Sequence, residues 1–230
     1  MFLSNPAKSF LASALITTVC GGCGFFKNYT GNAVPARETG NTVPFSVKEP
    51  EVYQAQFVTT AGDISTVSFY ARKGENWRLD LNFGSPNSVS IIRSDKVYSI
   101  SPARKVFAEI PSEQASPDPD FVQEMTAGLL SQSITAKFES LDSDGALTKY
   151  RVSLGENSES EAIIYLDETV GIITREEFFS LPRKTHNDAP QFIYEVRELK
   201  TEVDDSLFAI PAELEKVSWN EYSAAPRQPK

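Results

Sequence analysis

Few residues of this chain are of types that carry covalent or acid–base chemistry, and their spacing limits what each could do. Two cysteines stand as Cys20-Gly21-Gly22-Cys23. A CxxC pair serves redox exchange or half of a zinc site, but a zinc site takes four ligands and the chain has no other cysteine. Haem attachment is excluded by Gly24, which stands where CxxCH requires histidine. His186 is the single histidine, set in the polar connection Arg183-Lys184-Thr185-His186-Asn187-Asp188 and read as a solvated loop residue. Asp142-Ser143-Asp144-Gly145 begins like a calcium loop, yet Ala146 and Leu147 follow where oxygen ligands must continue, so a plain hairpin turn is expected. Glu176-Glu177 and Asp204-Asp205 are adjacent acids, which alternate faces on a strand and cannot by themselves form a glycosidase pair. Each is expected in solvent. No G-x-S-x-G, H-E-x-x-H, Walker or G-x-G-x-x-G sequence occurs. The chain is therefore read as a non-enzyme, without catalytic residues, metal or cofactor.

The stretch before the cysteines offers another reading of them. Lys8 is the one charged side chain before the apolar run at residues 10–19, which at about ten residues suits a signal-peptide core and is too short to span a bilayer. Small residues before a cysteine, directly after such a core, resemble the lipobox of bacterial lipoproteins, where the leader is cut before a cysteine whose sulfur is joined to diacylglycerol. Gly22 suits the position before the cut and Val19 does not, so Cys23 is preferred. Cys20 stays open as the alternative. On this reading residues 1–22 are a signal peptide and 23–50 a lipidated N-terminus and flexible tether, rich in Asn, Thr, Gly and Pro, reaching roughly 25 Å. Residues 51–218 form the folded domain and 219–230 a disordered tail. A formal net charge of -9, with no cluster of Lys and Arg, argues against nucleic acid as a partner.

The folded part is organised around residues 64–110, a run of short alternating segments closed by turn signals. In Trp77-Arg78-Leu79-Asp80-Leu81-Asn82-Phe83 a strand puts Trp77, Leu79, Leu81 and Phe83 on one oily face and Arg78, Asp80 and Asn82 on a wet one. Val67, Phe69 and Ala71 repeat the pattern one segment earlier, across the hairpin turn Lys73-Gly74-Glu75-Asn76. Segments joined so tightly are antiparallel neighbours. Tyr53, Ala55 and Phe57 alternate before them. After a loop holding Pro111, Pro117 and Pro119, Asp118-Pro119-Asp120 starts a helix of about three turns with Phe121, Met125 and Leu129 as its apolar stripe. Strands resume to about residue 201, and one helical turn follows at residues 203–206. The total is ten or eleven strands and one clear helix.

The Lys-Gly-x-x-Trp-Arg-x-Asp signature from Lys73 to Asp80, the Asp-Lys-Val-Tyr-Ser-Ile-Ser-Pro strand at residues 95–102, the helix after six strands and the Asp-x-x-x-Phe-x-Ile-Pro ending from Asp204 to Pro211 resemble the LolA/LolB superfamily of bacterial lipoprotein carriers. The resemblance spans residues 52–217. It implies a mainly β fold, an open antiparallel half-barrel lidded by helices that holds acyl chains between barrel and lid. It also implies a basic residue near the end of the second strand that holds the lid, a place matched by Arg72 or Lys73. Gly74 stands where the carriers have proline.

One helix cannot cover ten strands, so some apolar surface is expected to be left for a ligand. Acyl chains suit such a slot, since each buried methylene contributes about 0.8 kcal/mol. The candidate lining is Phe57, Val67, Phe69, Trp77, Leu79, Leu81, Phe83, Ile91, Met125 and Leu129, with filled core as the plain alternative for each. Expected partners are acyl chains of lipids or lipoproteins and the membrane that takes the Cys23 anchor. The place is the bacterial envelope, with Gly24 rather than Asp after the cysteine fitting the outer membrane facing the periplasm. An envelope interaction domain with a filled core, binding a protein partner by its sheet edge or rim, is the second reading.

Overall fold

Among the described residues twelve strands build one sheet. Strands β1 (Val52–Ala61), β2 (Ile64–Lys73), β3 (Asn76–Leu81), β4 (Val89–Arg93), β5 (Val97–Ser101) and β6 (Val106–Glu109) meander as antiparallel neighbours. A second meander runs through β7 (Lys137–Asp144), β8 (Leu147–Leu154), β9 (Ser160–Asp167), β10 (Ile172–Ser180) and β11 (Phe192–Lys200). β1 pairs with β11 and fuses the two, and the short β12 (Glu215–Lys216) adds to β6 in parallel. The order is β12-β6-β5-β4-β3-β2-β1-β11-β10-β9-β8-β7, so the sheet is open. This is the mainly β, open antiparallel layout expected. The computed structural model describes residues 43–115, 136–154, 160–180 and 189–224, within the unit Glu38–Lys230. The leader, Cys20 and Cys23, the helix with Met125 and Leu129, and His186 lie outside the described residues.

The turns follow the residues that favour them. Gly74, at φ +60, makes the β2–β3 hairpin without a Cβ to clash, and Gly145 at φ +62 does the same between β7 and β8. Strand β7 runs through Asp142 to Asp144, as a hairpin reading of that stretch requires.

Register assigns the faces. Tyr53, Ala55 and Phe57 of β1 lie beside Arg72, Tyr70 and Ser68 of β2, and Tyr70 and Arg72 beside Leu79 and Trp77 of β3. This inner face continues through Val196 and Tyr194 of β11, Glu176 of β10, Ile164 of β9 and Tyr150 of β8. Two apolar clusters cover it, one around Tyr53, Tyr70, Trp77 and Ile172, the other around Tyr150, Val152, Ile164 and Ile173. At about 1.5–3 kcal/mol for each large side chain removed from water, they are the main source of stability.

The outer face is not simply wet. Over β2–β5 it holds Ala71, Ile92 and Ile100, covered by Val203, Leu207, Phe208, Ile210 and Leu214 of the C-terminal segment. That segment includes a 3-10 turn at Asp205–Phe208, capped by Asp204, whose side chain accepts from the Ser206 N–H at 2.8 Å. Asp80, expected in solvent, is 4% exposed beneath this cover. The correction has a clear cause: Arg78 pairs with Asp80 at 2.8 Å and donates to the Leu207 carbonyl at 3.2 Å, so the charged face of β3 is a buried tie to the segment above it. Over β8–β11 the outer face carries Arg151 with Glu139 and Glu161, and Arg175 with Glu177 and Glu195, a cross-strand ladder of opposite charges.

A second correction concerns the C-terminus. The stretch expected to be disordered from residue 219 begins with helix α1 (Trp219–Ala224). The Tyr222 hydroxyl accepts from Ser99 at 2.9 Å, Arg104 lies 5.0 Å over its ring, and the Trp219 indole donates to Gln114 at 2.8 Å. These partners lie more than a hundred residues away, so composition alone could not reveal them. Phe208 is 6% exposed at the centre of the outer cluster. Phe208→Ala is expected to cost about 3 kcal/mol, measured by denaturant unfolding, whereas a loss within about 0.5 kcal/mol would mean the C-terminal segment is not a structural cover.

Candidate functional site: the inner face of the sheet

The basic pair at the end of β2 shows how the sheet is covered. Arg72 and Lys73 are consecutive on a strand and therefore point to opposite sides. On the inner side Arg72 donates to Glu49 at 2.9 Å, and the Tyr53 hydroxyl donates to the other oxygen of the same carboxylate. Glu49 belongs to a segment laid over the sheet, where Phe45 packs on Tyr150 and Phe138, Val47 touches both inner clusters, and the Lys48 N–H donates to the Gly171 carbonyl at 3.2 Å. On the outer side Lys73 reaches Asp205 at 2.6 Å, at the start of the C-terminal turn. One dipeptide thus ties a cover to each face. The Arg72 pair is the more sheltered, with side-chain exposures of 23% and 9%, and is the one whose loss leaves a buried charge. The Lys73 pair is exposed and worth little by itself.

The expected ligand-lining residues divide between the faces. Phe57, Trp77 and Leu79 lie together in the inner cluster, with Ile91 packed against it. Leu81 is on the same face and 39% exposed. Val67 and Phe69 belong to the outer face, since their register partners there are Val58 and Asp80. Phe83 joins Phe69, the rings stacked at 5.3 Å. The expected alternation fails at Asn82, whose φ of +52 turns the chain after Leu81, so that the Phe83 N–H donates to the Val67 carbonyl at 2.8 Å and its ring meets Phe69. Tertiary placement thus keeps five of the eight described candidates on one surface.

Along that surface burial is graded. At the end near the β2–β3 turn, Tyr53, Tyr70 and Trp77 are sealed at 0–1% exposure. Toward the other end Ser68 is half-buried, Thr66 is exposed, and Leu81 and Ile64 are exposed at 39% and 59%. A cavity of about 280 Å³ lies elsewhere, on the outer side, lined by Arg78, Ser90, Ile100, Lys105 and Leu214 among others. Its guanidinium is already held by Asp80 and Leu207, so it offers little to a ligand.

Glu176 is the group that residue-by-residue reading of the sequence missed. Expected in solvent, it is 1% exposed on the inner face, opposite Tyr194 and Ile164, and its Oε1 has no hydrogen-bond partner among the described residues. Its neighbour Glu177 points outward and pairs with Arg175 at 2.7 Å. The doublets Ile172-Ile173, Glu176-Glu177 and Phe178-Phe179 conceal which set faces inward, and a bulge between Ile173 and Arg175 resets the parity. Burial pushes the Glu176 carboxyl up to about 8. Among the described residues, no group of three or more His, Cys, Asp or Glu side chains is placed to hold a metal.

The raised carboxyl makes the native state bind more protons than the unfolded chain between about 4.5 and 8. Stability is therefore greatest on the acid side of this window and falls as pH rises through it, levelling above about 8. Glu176→Gln is expected to flatten that fall in a plot of Tm against pH. An unchanged slope would show that the carboxylate is solvated.

No family model and no curated protein sequence matches the chain. Among solved structures it is similar to an uncharacterized conserved protein from Thermus thermophilus, at 12% identity over 72% of this chain and 89% of that one, with a TM-score of 0.41. It is similar also to a chain of the Pseudomonas aeruginosa MucA/MucB complex, at 14% identity and a TM-score of 0.43, covering 72% of this chain and 58% of that one. A LolA superfamily protein from Nitrosomonas europaea aligns at 10% identity and a TM-score of 0.29, covering 71% of this chain and 92% of that one. The single sheet, open and antiparallel except at β12, is the mainly β layout expected from the sequence.

Proposed function

We propose that this chain is a non-enzymatic envelope lipoprotein, anchored through Cys23, whose inner sheet face binds fatty acyl chains for transfer or sensing. The observation that carries the reading is the graded inner face. It is sealed around Trp77 and Tyr53 and open at Leu81 and Ile64, so apolar surface is left at one end of a face that is otherwise core. A flexible apolar tail suits such a surface because methylenes need contact area and no fixed polar partner. Two covers tied by ion pairs at the sealed end leave the other end free of those ties.

The second reading, binding of an envelope protein, is favoured by a separate feature. Among the described residues β7 is the last strand of the sheet, with a bulge between Ser140 and Ser143, and a sheet edge presents backbone groups on which another chain can pair.

The first test is uptake of a fluorescent fatty acid by the purified protein. Leu81→Arg, which places a charge on the exposed apolar end, is expected to reduce uptake at least tenfold in a protein that still folds. Unchanged uptake, or organic extracts of the purified protein free of lipid, would count against acyl binding and leave the edge-strand reading to be pursued by crosslinking. The anchor has its own measurement. Cys23→Ser is expected to abolish incorporation of labelled palmitate in cells, while retention there and loss in Cys20→Ser would move the anchor to Cys20.

A further inference from the structure

The inner face carries a group that neither a filled core nor a plain greasy slot requires. Glu176 sits at the middle of β10, sealed from water, with Oε1 unpartnered among the described residues. Beside it, Phe178 of β10 and Phe192 and Tyr194 of β11 form a set of half-buried rings with centroids 4.4–6.2 Å apart. The row through Glu176 crosses Tyr194 to Thr59 of β1 and Thr66 of β2. Burial loosens along it, from 1% exposure at Glu176, through half-buried Tyr194 and Thr59, to exposed Thr66. The carboxyl is therefore at the closed end of a row whose other end meets solvent near Leu81.

Nothing charged among the described residues answers it. Arg175, Glu177 and Glu195 of the same two strands pair with one another on the outer face. Lys48 and Glu49 of the crossing segment lie beside Gly171 and Arg72, at the sealed end. On the strands beside it the titratable groups of the inner face are the phenols of Tyr194 on β11 and Tyr150 on β8, with β9 contributing Ala162, Ile164 and Leu166; Tyr53, Tyr70, Arg72 and Arg93 of β1, β2 and β4 share the face toward the sealed end. A carboxyl so placed keeps its proton and becomes a donor in an apolar site, and a buried donor without an acceptor is costly. An occupant that brings an acceptor removes that cost.

We propose that Glu176 is the polar contact of the inner-face site, donating a hydrogen bond to the carbonyl oxygen of a fatty acyl ester whose chain lies against Phe178, Phe192 and Tyr194. This rests on the acyl-binding reading above and adds a ligand class to it. The preferred guest is a neutral lipid part that bears a carbonyl, rather than any greasy chain. Proton and carbonyl stay on their owners, so no bond is made or broken beyond the hydrogen bond.

The test uses the full chain and two fluorescent probes of equal length, the methyl ester of a pyrene-labelled fatty acid and the matching pyrene-labelled alkane. The wild-type protein is expected to bind the ester about tenfold more tightly than the alkane, the effect of one hydrogen bond made in place of an unsatisfied donor. In Glu176→Leu the two probes should bind alike, and Glu176→Gln, which keeps an N–H donor, should restore most of the preference. Raising the pH through about 8 should remove the preference in the wild type and leave it in Glu176→Gln. A preference that survives in Glu176→Leu, or equal wild-type affinities, overturns the role of Glu176 while acyl binding stands. Failure of the wild type to bind either probe overturns both.

Discussion

Consecutive residues of a strand face opposite ways, and this sheet is held by what that rule does to Arg72 and Lys73. The inner face gathers Tyr53, Tyr70 and Trp77, the outer face Ala71, Ile92 and Ile100, and neither set can remain in water. Among the described residues two segments lie over the end near β2 and β3, and each is fastened by one member of the dipeptide, Glu49 to Arg72 and Asp205 to Lys73. Backbone in an irregular cover must still satisfy its polar groups. The Lys48 N–H goes to Gly171 inside, and the Leu207 carbonyl takes Arg78 outside.

The same rule separates chemistry between the faces. Most charged side chains of β8–β11 are sent outward, where Arg151 and Arg175 each join two glutamates in a ladder that water can still screen. Glu176 is the exception sent inward, and its inward neighbours Ile164, Phe178 and Tyr194 cannot neutralise a charge. A protonated acid is the form that environment tolerates. Among the described residues the inner face is thus largely apolar, sealed at one end and more open at the other, with a buried acid within it.

Much of the layout was legible in the residues. Turn chemistry at Gly74 and Gly145, alternation in β1 and β3, and the Asp204 to Pro211 ending each matched a built element. The candidate site was legible only in part. Phe57, Trp77, Leu79, Leu81 and Ile91 share a face as their spacing requires, because parity holds within an unbroken strand. Phe69 and Val67 were grouped with them wrongly, since parity does not say which face of one strand meets which face of the next. Phe83 was lost at a single left-handed residue, Asn82.

By itself the sequence determined the strands, the tight turns and their antiparallel pairing, all of which depend on neighbours a few residues apart. Tertiary structure alone decided what covers each face. Residue 49 meets residue 72, residue 73 meets residue 205, and Ser99 meets Tyr222, contacts between distant stretches that carry no local pattern. It also decided that Asp80 and Glu176 are buried, one paired and the other with no partner for its Oε1 among the described residues. A carboxylate looks the same in the chain wherever it lands, and only the packing around it sets whether water or hydrocarbon is its solvent.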